Sequence, residues 1–328
     1  MGNKIKAAKV LLENYYPTDK IQVEIIPAET TNKTNFNLHQ SLGVKKPRQT
    51  IVMLYGMDYA GEEDPRLVKF ANAFAKSGFR VAVPCLNGLK SLEFQIDDVD
   101  RICDLALYLG QTFSDTVGIC AFSIGGGYAL VAAANLVNQI AIDPILLFSP
   151  YYCLNELWEY WKDKDLVQPT NDREWDHFLW NKMALAYRGL DSLGFSQNER
   201  EDFLYRLRHY CSEDSLDKKR AYYLQSLAHL KVPKYGDFPI RSEILDALSP
   251  KGKLYNITGK VLLVHDTNDL MIPPSHTERI FKELNGSKMT SSITHRKIIT
   301  PLLSHVTINN SWKLMDGLSI LDMMGEFF

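Results

Sequence analysis

From Thr50 onward the chain alternates short apolar runs with longer stretches whose apolar residues recur every three or four positions. Thr50–Tyr55 is apolar without interruption and stops at Gly56, which predicts a strand buried on both faces. Asp64-Pro65 supplies a helix start, Leu67, Phe70, Ala71 and Phe74 follow at helical spacing, and Gly78 supplies the stop. Phe79–Pro84 reads as the next strand. A helix is predicted over Asp97–Leu109, with Val99, Ile102, Cys103, Ala106 and Leu109 on one face and Gly110 at its end. Val117–Phe122 is again a strand, Ile124–Asn135 a helix, and Ile142–Phe148 a strand closed by Ser149-Pro150. Ahead of this series, residues 1–20 read as a short amphipathic lead-in and Ile21–Ile26 as a first strand. Residues 28–48 are polar and irregular, a long loop or a frayed hairpin.

Apolar strands alternating with amphipathic helices predict an α/β fold with a mostly parallel, doubly wound sheet. The alternation stops after Phe148. Between Tyr151 and about Tyr235 no strand-like run occurs, helical patterning dominates, and Trp158, Trp161, Trp175 and Trp180 are concentrated there. Strand signals return at Lys260–His265, a helix is expected from Ser275 to Leu284, and Asn285-Gly286 reads as the turn after it. Arg296–Thr300 is a last short strand and Trp312–Phe327 a terminal helix. The simplest organisation is a core of residues 1–150 and 236–328, interrupted by a helical lid over 151–235.

Composition narrows this picture by exclusion. The chain has 328 residues, enough for a large core, with 45% hydrophobic and 23% charged residues and a formal net charge of −2. That balance does not suggest a nucleic-acid partner. The longest uncharged run, Thr116–Ile142, is interrupted by Ser123, the glycines 125–127 and the amides of Asn135, Asn138 and Gln139, unlike the apolar stretch of roughly 18 residues that spans a bilayer, so stable membrane insertion is not expected. Met1–Lys6 is not followed by an apolar signal-peptide core, and Lys6 stands where a myristoylation signal on Gly2 requires Ser or Thr. Cys85, Cys103, Cys120, Cys153 and Cys211 are odd in number and form no C-x-x-C pair. Buried free thiols and a reducing, cytoplasmic setting are the expectation. Asn256-Ile257-Thr258 therefore carries little weight as a glycosylation signal.

The chemistry concentrates at Val117-Gly118-Ile119-Cys120-Ala121-Phe122-Ser123-Ile124-Gly125-Gly126-Gly127. An apolar run ends in a serine flanked by small residues, and a helix follows: the pattern of a nucleophile elbow, a serine on a strained strand-to-helix turn. Ala121 and Gly125, two residues either side of Ser123, leave room for the neighbouring backbone, although Ala121 replaces the first glycine of G-x-S-x-G. By itself the segment also fits a glycine-rich turn of any α/β protein. A serine hydroxyl needs an adjacent base oriented by an acid. The chain supplies both later, in Asp266-Thr267-Asn268-Asp269-Leu270-Met271-Ile272-Pro273 and in Pro301-Leu302-Leu303-Ser304-His305-Val306.

With serine, acid and histidine in that order, each after a strand, the chain resembles the α/β-hydrolase-fold serine hydrolases over nearly all its length, the lid and residues 28–48 excepted. In that superfamily the acid lies in a turn like Gly-x-x-Asp-x-x-Val-Pro. The resemblance favours Asp269 over Asp266, which stands where glycine is usual. It also places the base at His305, on the loop past the last strand, in preference to His295 at or within that strand. An oxyanion hole is implied at the backbone N–H of Ile124 and, from the Tyr55-Gly56-Met57-Asp58 turn, that of Met57. Tyr55 departs from the family's usual histidine there, while Gly56 is kept.

The implied activity is cleavage of a carboxylic ester or thioester of small or medium acyl size, through an acyl-enzyme on Ser123. The partner is a small-molecule ester, with no metal and no cofactor; the oligomeric state, including a homo-oligomer, is left open. Tyr151 and Tyr152, just past a core strand's carboxyl end, are candidates to touch substrate. The tryptophans are better read as packing lid helices. An acyltransferase or peptidase with the same triad, or a non-catalytic ligand-binding protein on the same fold, are the alternatives. No P-loop competes, because Gly125-Gly126-Gly127 lacks the following Lys-Ser/Thr.

Overall fold

A computed structural model of the chain describes residues 3–4, 7–10, 21–113, 116–164, 168–212, 215–286, 293–308 and 314–327. The chain separates into two compact units, Met1–Leu154 with Glu243–Phe328, and Asn155–Ser242.

In the first unit, strands β1 (Val23–Glu29), β2 (Asn35–Ser41), β3 (Thr50–Leu54), β4 (Arg80–Pro84), β5 (Val117–Phe122), β6 (Ile142–Phe148), β7 (Val261–Asp266) and β8 (Arg296–Thr300) form one sheet. Their order is β1-β2-β4-β3-β5-β6-β7-β8. From β4 through β8 every neighbouring pair is parallel, whereas β1 and β2 join antiparallel at one edge. Of the two readings of residues 28–48, the hairpin holds: the expected first strand is β1, displaced to Val23–Glu29, and β2 pairs with it along its whole length, from Val23↔Ser41 to Glu29↔Asn35. Most of β1 is solvent-facing, so its sequence lacks the continuous apolar run of a central strand. β3 and β7, by contrast, are buried at every position.

Helices α1 (Pro65–Lys76), α2 (Ile96–Phe113) and α3 (Ile124–Leu136) alternate with the strands of the first half. Asp64 caps α1 by accepting from the Arg66 and Leu67 amides, with Pro65 in the first turn. α3 has small or apolar residues on all sides and is almost wholly buried. Of the lead-in expected over 1–20, residues 3–4 and 7–10 are described and helical, and the rest lies outside the described residues. Ala7 and Val10 are buried, and Lys4 Nζ pairs with Asp322 at 2.5 Å.

The second unit is helical: most of α4 (Leu154–Lys164), then α5 (Asp172–Arg188), α6 (Gln197–Ser212) and α7 (Leu216–Ser226). Its aromatic residues pack on one another. Tyr235 lies 5.2 Å from Trp158 and 5.5 Å from Trp161, and its hydroxyl donates to Asn181 at 2.8 Å. Trp175 contacts Phe178 at 5.5 Å and the Arg220 guanidinium at 5.0 Å.

Back in the first unit, α8 (Ser242–Leu248) precedes β7, and α9 (Ser275–Gly286) follows it. α9 includes Asn285 and Gly286, so this pair ends the helix and is not the turn beyond it. Past β8, a two-residue hairpin, β9 (Leu303–Ser304) and β10 (Thr307–Ile308), precedes α10 (Leu314–Phe327). The expected start of this last helix at Trp312 lies outside the described residues.

Candidate active site

In a parallel sheet the carboxyl ends of the strands lie on one edge, and ligands bind there where the strand order reverses. β3 and β5 are adjacent, with Leu54 beside Ala121, and the chain leaves β3 and β5 toward that edge at Tyr55-Gly56-Met57 and Ser123. β7 and β8 leave it at Asp266–Ile272 and Pro301–His305.

Ser123 adopts φ 53°, ψ −126°, a conformation L-residues rarely occupy, and its N–H donates to the Phe148 carbonyl of β6 at 2.8 Å. The turn is possible because its neighbours are small. A Cβ on Gly125 would lie 2.1 Å from the Tyr55 carbonyl oxygen, and one on Gly56 would lie 2.9 Å from Ser123 Cβ. The backbone of Tyr55-Gly56-Met57 therefore passes directly against the serine. Ile124 N–H is the first donor of α3 and has no acceptor within the helix, and the positive end of that helix favours an anion. Tyr55 is committed elsewhere: its hydroxyl accepts from Leu86 N–H at 2.7 Å and lies 3.4 Å from Glu62, which pairs with Lys90 at 2.9 Å.

Three of the candidate side chains meet. His305 Nε2 lies 2.9 Å from Ser123 Oγ, and His305 Nδ1 lies 2.7 Å from Asp269 Oδ2. A carboxylate only accepts, so Nδ1 carries the proton toward Asp269 and the neutral ring accepts the serine O–H at Nε2. Asp269 is 4% exposed. Burial opposes its charge, but His305 and hydrogen bonds from His265 and His305 hold its carboxyl well below the usual carboxylate range. Its other oxygen accepts from the Met271 and Ile272 amides at 2.8 and 2.9 Å.

Asp266, the competing acid, takes a different place. Its Oδ2 accepts the backbone N–H of His305 at 3.0 Å, and its Oδ1 accepts from Asn268 N–H at 3.0 Å. On the other side of the same residue, Ser149 Oγ donates to the His305 carbonyl at 3.0 Å. The histidine is thus held through both backbone polar groups, and its own φ is 56°. His295, the competing base, is buried just ahead of β8, and its Nδ1 accepts from Val261 N–H at 3.1 Å.

Of the two tyrosines, Tyr151 has no exposed surface: its ring fills the space beside Gly127 and its hydroxyl donates to the Leu248 carbonyl at 2.6 Å. Contact with a ligand would require the ring to leave both. Tyr152 donates its hydroxyl to Glu283 at 2.7 Å, lies under Arg279 at 4.4 Å, and borders a groove with Tyr255, Lys282 and Gly286.

Ser149, Thr277 and His265 were not among the sequence candidates. His265 carried a readable signal, a polar residue ending the run Lys-Val-Leu-Leu-Val-His. Ser149 had none, since Ser-Pro after a strand is ordinary turn chemistry.

Among the described residues no group of three or more His, Cys, Asp and Glu side chains is placed to hold a metal ion, and no helix is long and apolar enough to cross a membrane. Cys85, Cys103, Cys120 and Cys153 are free thiols, and the Cys211 side chain lies outside the described residues. Burial pushes Cys85 up to about 11 and Cys103 up to about 12, so neither is a ready thiolate.

No family model matches the chain, and no curated protein matches it by sequence. Solved structures do resemble it. A hormone-sensitive lipase from a metagenome library matches at TM-score 0.53 and 14% identity, covering 98% of this chain and 90% of that one. A mutant form of the esterase rPPE matches at TM-score 0.53 and 10% identity, covering 99% and 88%. Dienelactone hydrolase from Anabaena variabilis matches at TM-score 0.50 and 13% identity, covering 94% and 97%. At such identities the likeness speaks for the fold. Together with the strand order and the elbow at Ser123, it establishes that this chain has the α/β-hydrolase fold.

Proposed function

We propose that this chain is a serine hydrolase that cleaves a carboxylic ester or thioester of small or medium acyl size. The observation that carries the reading is the unbroken hydrogen-bonded series from Ser123 Oγ through His305 to Asp269. Ser123 Oγ attacks the acyl carbonyl carbon while its proton passes to His305 Nε2, and the carbonyl π electrons become an oxyanion. The amides of Met57 and Ile124 receive that charge, and the amino end of α3 adds to the stabilisation. The Asp269 carboxylate holds the imidazolium. Collapse of the intermediate breaks the bond to the alcohol or thiol, which leaves with the proton from Nε2. A water then attacks the acyl-Ser123 ester, with His305 again as base, and the acid and the free serine are released.

A serine nucleophile suits acyl transfer, and the superfamily's alkyl-transfer chemistry would require a carboxylate at the elbow. The lipase, esterase and dienelactone hydrolase among the structural neighbours agree with ester cleavage. The test is hydrolysis of a series of nitrophenyl acyl esters of graded chain length, by the wild type and by Ser123→Ala. Turnover that falls by about 10⁶-fold in the variant supports the reading. Turnover that survives Ser123→Ala contradicts it.

A further inference from the structure

We infer that His265 is a positioning residue for Asp269, so that a second, fully buried imidazole governs the acid that orients His305. The inference rests on the serine-hydrolase reading for its catalytic meaning, though not for its geometry.

His265 lies on β7 with no exposed surface. Its Nε2 is 2.8 Å from the Ile272 carbonyl oxygen and 3.4 Å from Asp269 Oδ2. Both neighbours only accept, so Nε2 carries a proton. Its main bond is to Ile272, and the longer contact to Asp269 adds electrostatic attraction. Nδ1 lies 2.7 Å from Thr277 Oγ1 of α9, and the neutral ring accepts the threonine hydroxyl there. Both ring nitrogens are thus used, which fixes the tautomer and the ring plane.

The acid turn closes on itself through this ring. Ile272 gives its N–H to Asp269 Oδ1 at 2.9 Å and its carbonyl to His265. With Oδ1 occupied by the Met271 and Ile272 amides, Oδ2 is left to His305 at 2.7 Å, with His265 behind it. If His265 is removed, Ile272 loses the bond that locates it and the acid turn is held less firmly, while Oδ2 stays on His305 and loses the donor behind it. The other ionisable groups around this turn are engaged: Asp266 accepts the His305 backbone N–H at 3.0 Å, and His276 at the start of α9 accepts Tyr152 N–H at 3.0 Å.

The electrostatic consequence has a definite sign. A donor facing Oδ2 withdraws charge from the carboxylate, and without it Asp269 attracts the His305 proton more strongly. His305 then stays protonated to higher pH, and the acid limb of any reaction that needs it as base moves up. A residue that only filled space would lower stability and leave that limb where it was.

The test compares the wild type, His265→Leu and His265→Gln, whose amide nitrogen can stand near the place of Nε2. Two readouts are followed against pH: the rate of fluorophosphonate labelling of Ser123, and the titration of the His305 ring by NMR on carbon-labelled histidine. His265→Leu should label about 10- to 10²-fold more slowly, with both midpoints displaced to higher pH, and His265→Gln should restore rate and midpoints toward the wild type. If His265→Leu does not fold, Thr277→Val, which removes the partner of Nδ1, should show a smaller displacement in the same direction. Midpoints that stay at the wild-type pH in the folded variants, or a glutamine variant no better than leucine, would overturn the inference. Failure of the wild type to label, with the NMR midpoint still displaced in His265→Leu, would overturn the serine-hydrolase reading and leave this inference standing.

Discussion

Gly125 and the Tyr55 carbonyl are so close that the side chain Gly125 lacks would begin 2.1 Å from that oxygen. The contact ties the first turn of α3 to the loop after β3, the two segments that flank Ser123. Gly125→Ala should therefore destabilise the protein by more than the ordinary overpacking cost of about 1–3 kcal/mol, since backbone must move. Gly236→Ala, where nothing lies within 4 Å, should be near neutral. Denaturant midpoints of the two variants check this, and equal effects would contradict the packing argument.

The two carboxylates of the acid loop differ in what they hold. Asp269 faces the His305 ring and Asp266 faces its backbone amide. Asp269→Asn presents the wrong hydrogen-bonding group to the imidazole and should slow turnover by about 10⁴-fold. Asp266→Asn keeps one oxygen, enough for the His305 amide though not for the Asn268 amide as well, and leaves the imidazole's own partner in place, so its loss should be smaller. Initial rates on an activated ester decide the assignment, and the reverse ranking would exchange the roles.

Ser149 holds the His305 carbonyl from a backbone φ of 47°. Alanine and glycine both delete the hydroxyl, yet only glycine relieves the left-handed backbone. Ser149→Gly should be the more stable of the two by up to about 1 kcal/mol, while both slow Ser123 labelling alike. Thermal denaturation alongside labelling rates separates the two effects.

Asp58, next to the Met57 amide, predicts a pH dependence of stability. Burial and then the Asp64 carboxylate push it up to about 7, against the pull of Arg66 and the Ala60 amide. Its value in the unfolded chain is near 3.8, so between that pH and about 7 the folded state binds the extra proton. Asp58 therefore favours the folded state most fully below pH 3.8, and its contribution is lost as pH rises through about 7. Asp58→Asn, which resembles the protonated acid, should remove that decline, raising stability relative to wild type on the alkaline side. Urea unfolding at a series of pH values measures the slope, and an unchanged slope in the variant would refute it.

The central strands were legible because strands covered on both faces are largely apolar: Val117–Phe122 and Ile142–Phe148 coincide with the observed β5 and β6. The β1–β2 hairpin was legible only in part: Ile21–Ile26 marks the first strand, but β1 lies at the sheet edge with most positions in solvent, and the polar residues 28–48 fit a loop as well as a hairpin. Residue type and order marked Ser123, an acid and a histidine, the family resemblance favoured Asp269 and His305 over Asp266 and His295, and the structure brings Ser123, His305 and Asp269 within hydrogen-bonding distance. The contacts of Ser149, Thr277 and His265 join residues far apart in sequence or on different elements, and nothing local in a serine or threonine reports which distant carbonyl or ring it will meet.

The most direct measurement of the central claim is intact-mass analysis after exposure to a fluorophosphonate probe, for the wild type and Ser123→Ala. A single stoichiometric adduct on the wild type, absent from the folded variant, is the result expected of an activated serine held by His305 and Asp269. A folded wild type that takes up no adduct, or a variant that labels equally, would contradict it.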